Sequence, residues 1–201
     1  MKEALDHLKA CDPILGRIID EVGPYGIQYS QPSFETLVKS IVYQQLSGRV
    51  AKIIFNRLAA AAGDGLVTPE GVLELRTEKM RKAGLSAQKI AYIRGLARRA
   101  VAGEIDFAAF ESVPDEEVYR QLTAVKGIGI WTAQMFLIFA LRRPNVMPSA
   151  DLGIRAAVRK AYALEEMPKP AAVDELARNW HPYCSVASWY LWRSLEDQAG
   201  L

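Results

Sequence analysis

Asp151 lies between MPSA (147–150) and LGIR (152–155), at the start of a helical pattern and twenty residues after Trp131. A carboxylate at a helix start can accept the first free amides as a cap, the commoner job for such an aspartate. It can also stabilise positive charge developing beside it, and orient or activate a water molecule. The two roles can coexist. Upstream, residues 122–134 read LTAVKGIGIWTAQ. Apolar positions at helical spacing (Val118, Leu122, Val125) run into Gly127-Ile128-Gly129, and a second helix begins at once. Two glycines one residue apart permit a tight connection and a close backbone approach to a ligand. Amides at the following helix N-terminus can meet a phosphate. The candidates are the backbones of Gly127, Gly129, Ile130 and Thr132, with Lys126 beside them. On the G-x-G pattern alone, a plain helix–helix corner fits equally well.

Two further stretches could act on a polyanion. Residues 40–52 read SIVYQQLSGRVAK, with Leu46 surrounded by Gln44, Gln45 and Ser47. Leu46 either continues the apolar face that begins at Phe34 or stands out as an apolar tip among polar neighbours. From Arg76 to Arg99 there are eight basic residues and one acid, in a chain whose net charge is +2. A basic run is commonly a solvated face. Against so balanced a chain it is read here as a phosphate-contacting stretch, with Gly84, Ser86 and Lys89 presenting amides and a charge.

Taken together, the hairpin, the aspartate at that spacing and the Gln-Gln-Leu-Ser tip resemble the helix-hairpin-helix (HhH-GPD) DNA glycosylase superfamily, over roughly residues 30–195. The resemblance implies sequence-independent phosphate binding by the hairpin. It also implies a sodium or potassium ion held by backbone carbonyls near Thr123, Val125 and Ile128. Asp151 takes the catalytic position. It would stabilise the positive charge left on a sugar as an N-glycosidic bond breaks, as in glycoside hydrolysis. Many relatives carry two acids here; this chain has Ala150 first, and Asp151 alone remains. Relatives that also cut the backbone carry a lysine where this chain has Trp131, so a monofunctional hydrolase with no lyase activity is implied. Leu46 would fill the hole left by a flipped nucleotide, with Gln44, Gln45 and Ser47 flanking it.

For the base pocket, the alkylbase branch, similar to bacterial 3-methyladenine glycosylase II, points to Trp131 and Trp192. Electron-rich rings suit cationic purines. For any one aromatic, core packing is the commoner outcome, and Trp189 is read as core. Where relatives have tyrosines, this chain has Met135 and Leu152, so the pocket departs from theirs. The implied function is base excision: flipping alkylated purines (3-methyladenine, 7-methylguanine) from duplex DNA and leaving an abasic site. Alternatives are another lesion, such as hypoxanthine, ethenoadenine or uracil, or a non-catalytic HhH DNA-binding protein.

The elements that must position these residues are helical throughout. Phe34, Leu37, Val38, Ile41, Val42 and Leu46 share one face, with Ser33 as N-cap. Val50, Ile53, Ile54 and Leu58 predict a second helix ending near Gly63-Asp64-Gly65, and Thr68-Pro69 starts another. Ile90 to Ala97, Pro114 onward, Ile130 to about Arg142, Asp151 to Tyr162, Pro170 to Trp180 and Ser185 to Asp197 complete the set. No period-2 strand pattern is visible. The expected fold is all-α, one domain of two helical lobes with a central cleft containing the helix-hairpin-helix. One lobe would span about 31–150, the other about 1–30 plus 151–201. At about this length there is no room for the extra N-terminal β-domain of longer bacterial relatives.

Composition bounds the remainder. Half of the 201 residues are apolar, enough for a sizeable core. Two cysteines, Cys11 and Cys184, cannot hold a four-cysteine iron–sulfur cluster, and both are read as buried thiols. His7 and His181 are read as structural or surface residues. Apolar stretches such as Phe136 to Leu141 are far too short to span a bilayer, and the N-terminus lacks a secretory core. The expectation is a monomer that needs no cofactor and acts on damaged double-stranded DNA, with no membrane partner and no iron–sulfur cluster. It would be cytoplasmic and nucleoid-associated in a bacterium, or nuclear in a eukaryote.

Overall fold

A computed structural model of the chain describes residues 1–63 and 65–196. Twelve α-helices run through them: α1 (Lys2–Cys11), α2 (Pro13–Val22), α3 (Phe34–Tyr43), α4 (Gly48–Ala62), α5 (Pro69–Glu74), α6 (Thr77–Ala83), α7 (Ala87–Val101), α8 (Asp115–Thr123), α9 (Ile130–Phe139), α10 (Leu152–Ala161), α11 (Pro170–Ala177) and α12 (Cys184–Glu196). No strand occurs among the described residues. None of these helices is long and apolar enough to cross a membrane. Asp197, expected inside the last helix, lies outside the described residues.

The chain divides into two compact units, residues 30–141 and residues 1–29 with 142–201. Residues 142–150 therefore group with the terminal segments. In the internal unit α3, α5 and α7 pack together, α4 packs on α3 and α6, and α8 packs on α9. Leu37, Ile41, Leu58, Ile93, Leu96 and Leu122 are fully buried there. Phe110 and Phe136 meet edge to face at 5.9 Å, a favoured aromatic arrangement. In the terminal unit α2 packs on α1 and α12, and α10 packs on α12. Its core takes Leu8, Leu15, Ile19, Ile154, Trp180, Tyr190 and Leu191. Trp189 is half-buried there, edge-on to Tyr25 at 4.7 Å.

Caps set the boundaries. Ser33 Oγ accepts from Thr36 N and starts α3. Thr68 Oγ1 accepts from Gly71 N ahead of Pro69 and starts α5. Asp12, buried, caps α2 by accepting from the amides of Ile14 and Leu15, each at 3.0 Å. Its other oxygen accepts from the Tyr162 hydroxyl and from Trp180 Nε1, so one carboxylate ties α2 to the C-terminal half of the unit.

Three helices end earlier than the periodicity predicts. α11 stops at Ala177, and Arg178–Trp180 tighten into a 3-10 turn. α3 stops at Tyr43. Gln45 turns into the left-handed region with φ of 58°, so Leu46 lies beyond the helix and is 38% exposed rather than continuing the buried face. α9 stops at Phe139 rather than near Arg142, because the amides of Ala140 and Leu141 both close onto Phe136 O. Arg142 then turns left-handed with φ of 57°. Cys184 is buried, whereas Cys11 is only partly so, because it lies at the end of α1; both are free thiols. His7 Nε2 donates to Asn179 O at 3.0 Å, and His181 is exposed.

Candidate functional site

In the terminal unit the turn at 148–151 places Asp151. Its amide donates to Pro148 O at 2.9 Å, and its side chain then caps α10. Oδ1 accepts from Ile154 N at 2.9 Å and from Trp192 Nε1 at 2.8 Å. Capping, expected as the commoner job, is thus one of the things this carboxylate does. The indole bond reaches over from α12 and fixes the same oxygen from a second element. Gly153 makes this approach possible. A Cβ there would lie 3.0 Å from Asp151 Oδ1 and 3.1 Å from Trp192 Cδ1. Leu152 projects to solvent beside the aspartate, 66% exposed. The sequence marks Trp192 as a stacking ring only; the bond to Asp151 adds a second role that no spacing rule shows.

In the internal unit, α8 and α9 form the hairpin. Val125 N donates to Leu122 O, and Ile128 N to Val125 O at 3.0 Å, with Val125 and Ile128 buried as anchors. Gly127 takes φ of 97° between them. A Cβ at this glycine would fall 2.2 Å from Cδ2 of Tyr92, so the ring of an α7 residue lies directly against the loop. Gly129 is the N-cap of α9 and offers no side chain. Lys126 and Ile130 are exposed, as is Trp131, at 48%. Thr132 is buried, so only its backbone suits a phosphate role. Thr123 Oγ1 donates back to Tyr119 O at the end of α8.

A cavity of about 820 Å³ opens between α3 and α9, walled by Trp131, Met135 and Phe139 on one side and Tyr43, Gln44 and Gln45 on another. The structure therefore brings the pocket residues Trp131 and Met135 together with the turn residues Gln44 and Gln45. Ser47, the N-cap of α4, and Leu46 complete that turn, both exposed. Gln44 Nε2 donates to Gly127 O at 2.9 Å, linking the turn to the hairpin. Tyr43, Lys39 and Ser40 also line the cavity. The sequence reading passes over them, although their spacing on α3 places them on the polar side opposite Leu37, Val38 and Ile41.

The basic stretch behaves less uniformly than expected. Gly84 adopts φ of 107° as the C-cap of α6, and its amide donates to Arg81 O. Ser86 caps α7 by accepting from Lys89 N. These atoms close helices before they can meet a ligand. Lys89 Nζ donates to Val42 O at 2.7 Å and Gln44 O at 2.8 Å, and burial pushes its pKa below the usual lysine value. The contact it makes is with the carbonyls at the end of α3, not the solvent-facing one expected for a phosphate ligand. Arg94 donates to Leu75 O, and Arg99 pairs with Glu104. Arg76, Lys79, Arg81, Lys82 and Arg98 remain on the surface.

A glycine hairpin opening a helix, with a capped aspartate downstream on an all-α frame, defines a class. Residues 38–182 match the model of the HhH-GPD superfamily base excision DNA repair proteins, and the chain belongs to that superfamily. DNA-3-methyladenine glycosylase 1 of Schizosaccharomyces pombe is 34% identical over 194 residues, covering 94% of this chain and 85% of that protein. The structure of that yeast's 3-methyladenine DNA glycosylase (Mag1) in complex with abasic DNA superimposes with a TM-score of 0.88 over 96% of this chain and 97% of that one. A DNA-3-methyladenine glycosidase from Bacillus halodurans is 33% identical, with a TM-score of 0.89 over 97% of this chain and 91% of that one.

Proposed function

We infer that the chain is a monofunctional DNA glycosylase that excises alkylated purines such as 3-methyladenine and 7-methylguanine from duplex DNA, leaving an abasic site. The observation that carries the reading is Asp151, whose Oδ1 is held by a helix amide and an indole N–H. The names of the relatives, DNA-3-methyladenine glycosylases, support the substrate class.

The hairpin backbone at Gly127, Gly129, Ile130 and Thr132, with Lys126, grips phosphates without reading sequence. Leu46 enters the stack where the nucleotide leaves it. Trp131, with Met135 below it, offers a flat apolar wall to an extruded base, and a ring face attracts a cationic purine. Cleavage breaks the bond between the sugar C1′ and the base nitrogen, and its electron pair departs with the base. A base that was cationic leaves neutral. Asp151 stabilises the positive charge on the sugar, a water oxygen bonds to C1′, and the water's proton passes to the carboxylate or to solvent. Trp131 has no amine to form a Schiff base, so the reaction stops at the abasic site. No cofactor takes part. A sodium or potassium ion would sit on the carbonyls of Thr123, Val125 and Ile128. Val125 O accepts from Ile128 N and, as a carbonyl, has a second lone pair; an ion held there would supply positive charge toward a phosphate.

The test is chromatography of free bases from methylated duplex DNA, with the strands run on a gel before and after alkali. Free 3-methyladenine or 7-methylguanine, with cleavage only after alkali, is expected. Intact duplex binding without any released base would point instead to another lesion or to a binding protein.

A further inference from the structure

Three features of the internal unit meet at the first turns of α7. Lys89 reaches α3 and donates to the carbonyls of Val42 and Gln44. One turn later on α7, Tyr92 lies against Gly127 of the hairpin, and Gln88 Nε2 donates to its hydroxyl at 2.5 Å. Gln44 closes the loop by donating to Gly127 O. The last carbonyls of a helix lack intrahelical partners, and a cation near them is favoured by the helix dipole. Here the cation also stands where the chain is strained. Gln45 holds φ of 58°, uncommon for a residue with a side chain. Such a backbone persists only where its surroundings enforce it. A backbone bond from Leu46 N to Tyr43 O also spans this turn.

We propose that Lys89 is a positioning residue for the Leu46 wedge: its ammonium, bonded to the two carbonyls flanking Tyr43, sets the turn that projects Leu46 and keeps it in register with the hairpin. This rests on the wedge reading given above. It also replaces a phosphate contact with an internal one. The ammonium is partly buried, and burial lowers its pKa, as expected of a group turned away from bulk water.

The test separates the two roles. Lys89→Met keeps the length of the side chain and removes the charge. In the wild-type background it is expected to slow single-turnover excision from duplex DNA by about tenfold, the usual weight of a charged hydrogen bond. In a Leu46→Ala background the same change is expected to cost less than about twofold, because the element it positions is gone. The slope of log affinity against log salt for undamaged duplex is expected to stay at the wild-type value. Equal losses in both backgrounds would overturn the proposal. So would a slope shallower by about 0.9, the signature of one lost phosphate contact.

Wild-type protein provides a check that needs no variant. Acetic anhydride should modify exposed Lys126 in free protein and not on DNA. Lys89 should be modified to the same extent in both states. A Lys89 that reacts when free and is protected only by DNA would contradict the assignment. The salt slope and the acylation pattern read binding and reactivity, so they stand even if the wild type releases no base. That second result would count against the glycosylase reading alone.

Discussion

At the scale of single residues, the proposed chemistry depends on the Asp151 carboxylate and on the Trp192 indole N–H that holds it. Trp192→Phe keeps a ring on α12 and removes only the donor to Asp151 Oδ1. Asp151 would keep its cap at Ile154 N and lose the hold from α12. The expected outcome is kcat lowered by about tenfold with KM little changed, since the lost bond positions a group used in the transition state. Steady-state kinetics on a methylated oligonucleotide checks this, and an unchanged kcat would leave Trp192 with stacking alone. Asp151 and the hairpin glycines were legible because helix-start and glycine-turn signals are local, a few residues long. The Trp192 bond was not, since it joins residues 41 apart in sequence. The carbonyl contacts of Lys89 were hidden for the same reason: its partners lie 47 and 45 residues upstream. From sequence a lysine in a basic run looks solvated, and only packing reveals the carbonyls it meets.

At the scale of elements, the α8–α9 hairpin depends on one glycine. Gly127 combines a left-handed φ of 97° with a tyrosine ring where a Cβ would stand. Gly127→Ala therefore adds backbone strain to a steric clash that only a shift of Tyr92 or the loop could relieve. A loss of about 2–4 kcal/mol of stability is expected, from strain and overpacking together. Duplex affinity should fall with it, because the loop amides move. Thermal unfolding and a binding titration measure the two effects; a variant with wild-type Tm would show the contact to be slack. Helix starts were the easier boundaries to foresee, since Ser33, Thr68 and Asp151 carry recognised caps. Helix ends were harder. α3 and α9 both stop without glycine, at turns where Gln45 and Arg142 adopt positive φ. Neither residue type announces such a backbone. The Asp12-Pro13 cap of α2 was readable on the same rule as Thr68-Pro69.

At the scale of the whole molecule, the all-helical class followed from periodicity alone, because apolar spacings of three and four recur through the chain and alternation does not. The division into two units at residues 29/30 and 141/142 is less local. Residues 142–150 join the terminal unit through contacts such as Ser185 N to Pro144 O and Val146 N to Ser185 Oγ, which a linear reading does not contain. That unit also predicts an alkaline weakness. Burial, with Asp174 nearby, pushes the Cys184 thiol up to about 12 from its ordinary value of 9.0. The fold thus favours the protonated thiol. Its contribution is complete below about pH 9 and is lost as pH rises from there toward 12. Melting curves across that range should show wild type losing Tm more steeply than Cys184→Ala. Parallel slopes would mean the buried thiol is not a source of the alkaline loss; the half-buried tyrosines Tyr25 and Tyr162, shifted in the same direction, would then be its source.

The proposed function rests on the Asp151 carboxylate driving cleavage of the glycosidic bond. Its most direct test is single-turnover release of 3-methyladenine or 7-methylguanine by wild type and by Asp151→Asn, with duplex affinity measured in parallel. Asparagine keeps an oxygen to cap α10 and removes the charge. Release should fall by at least about a hundredfold, the scale of losing one transition-state electrostatic partner, while duplex binding persists. Base release by Asp151→Asn at the wild-type rate would contradict the account.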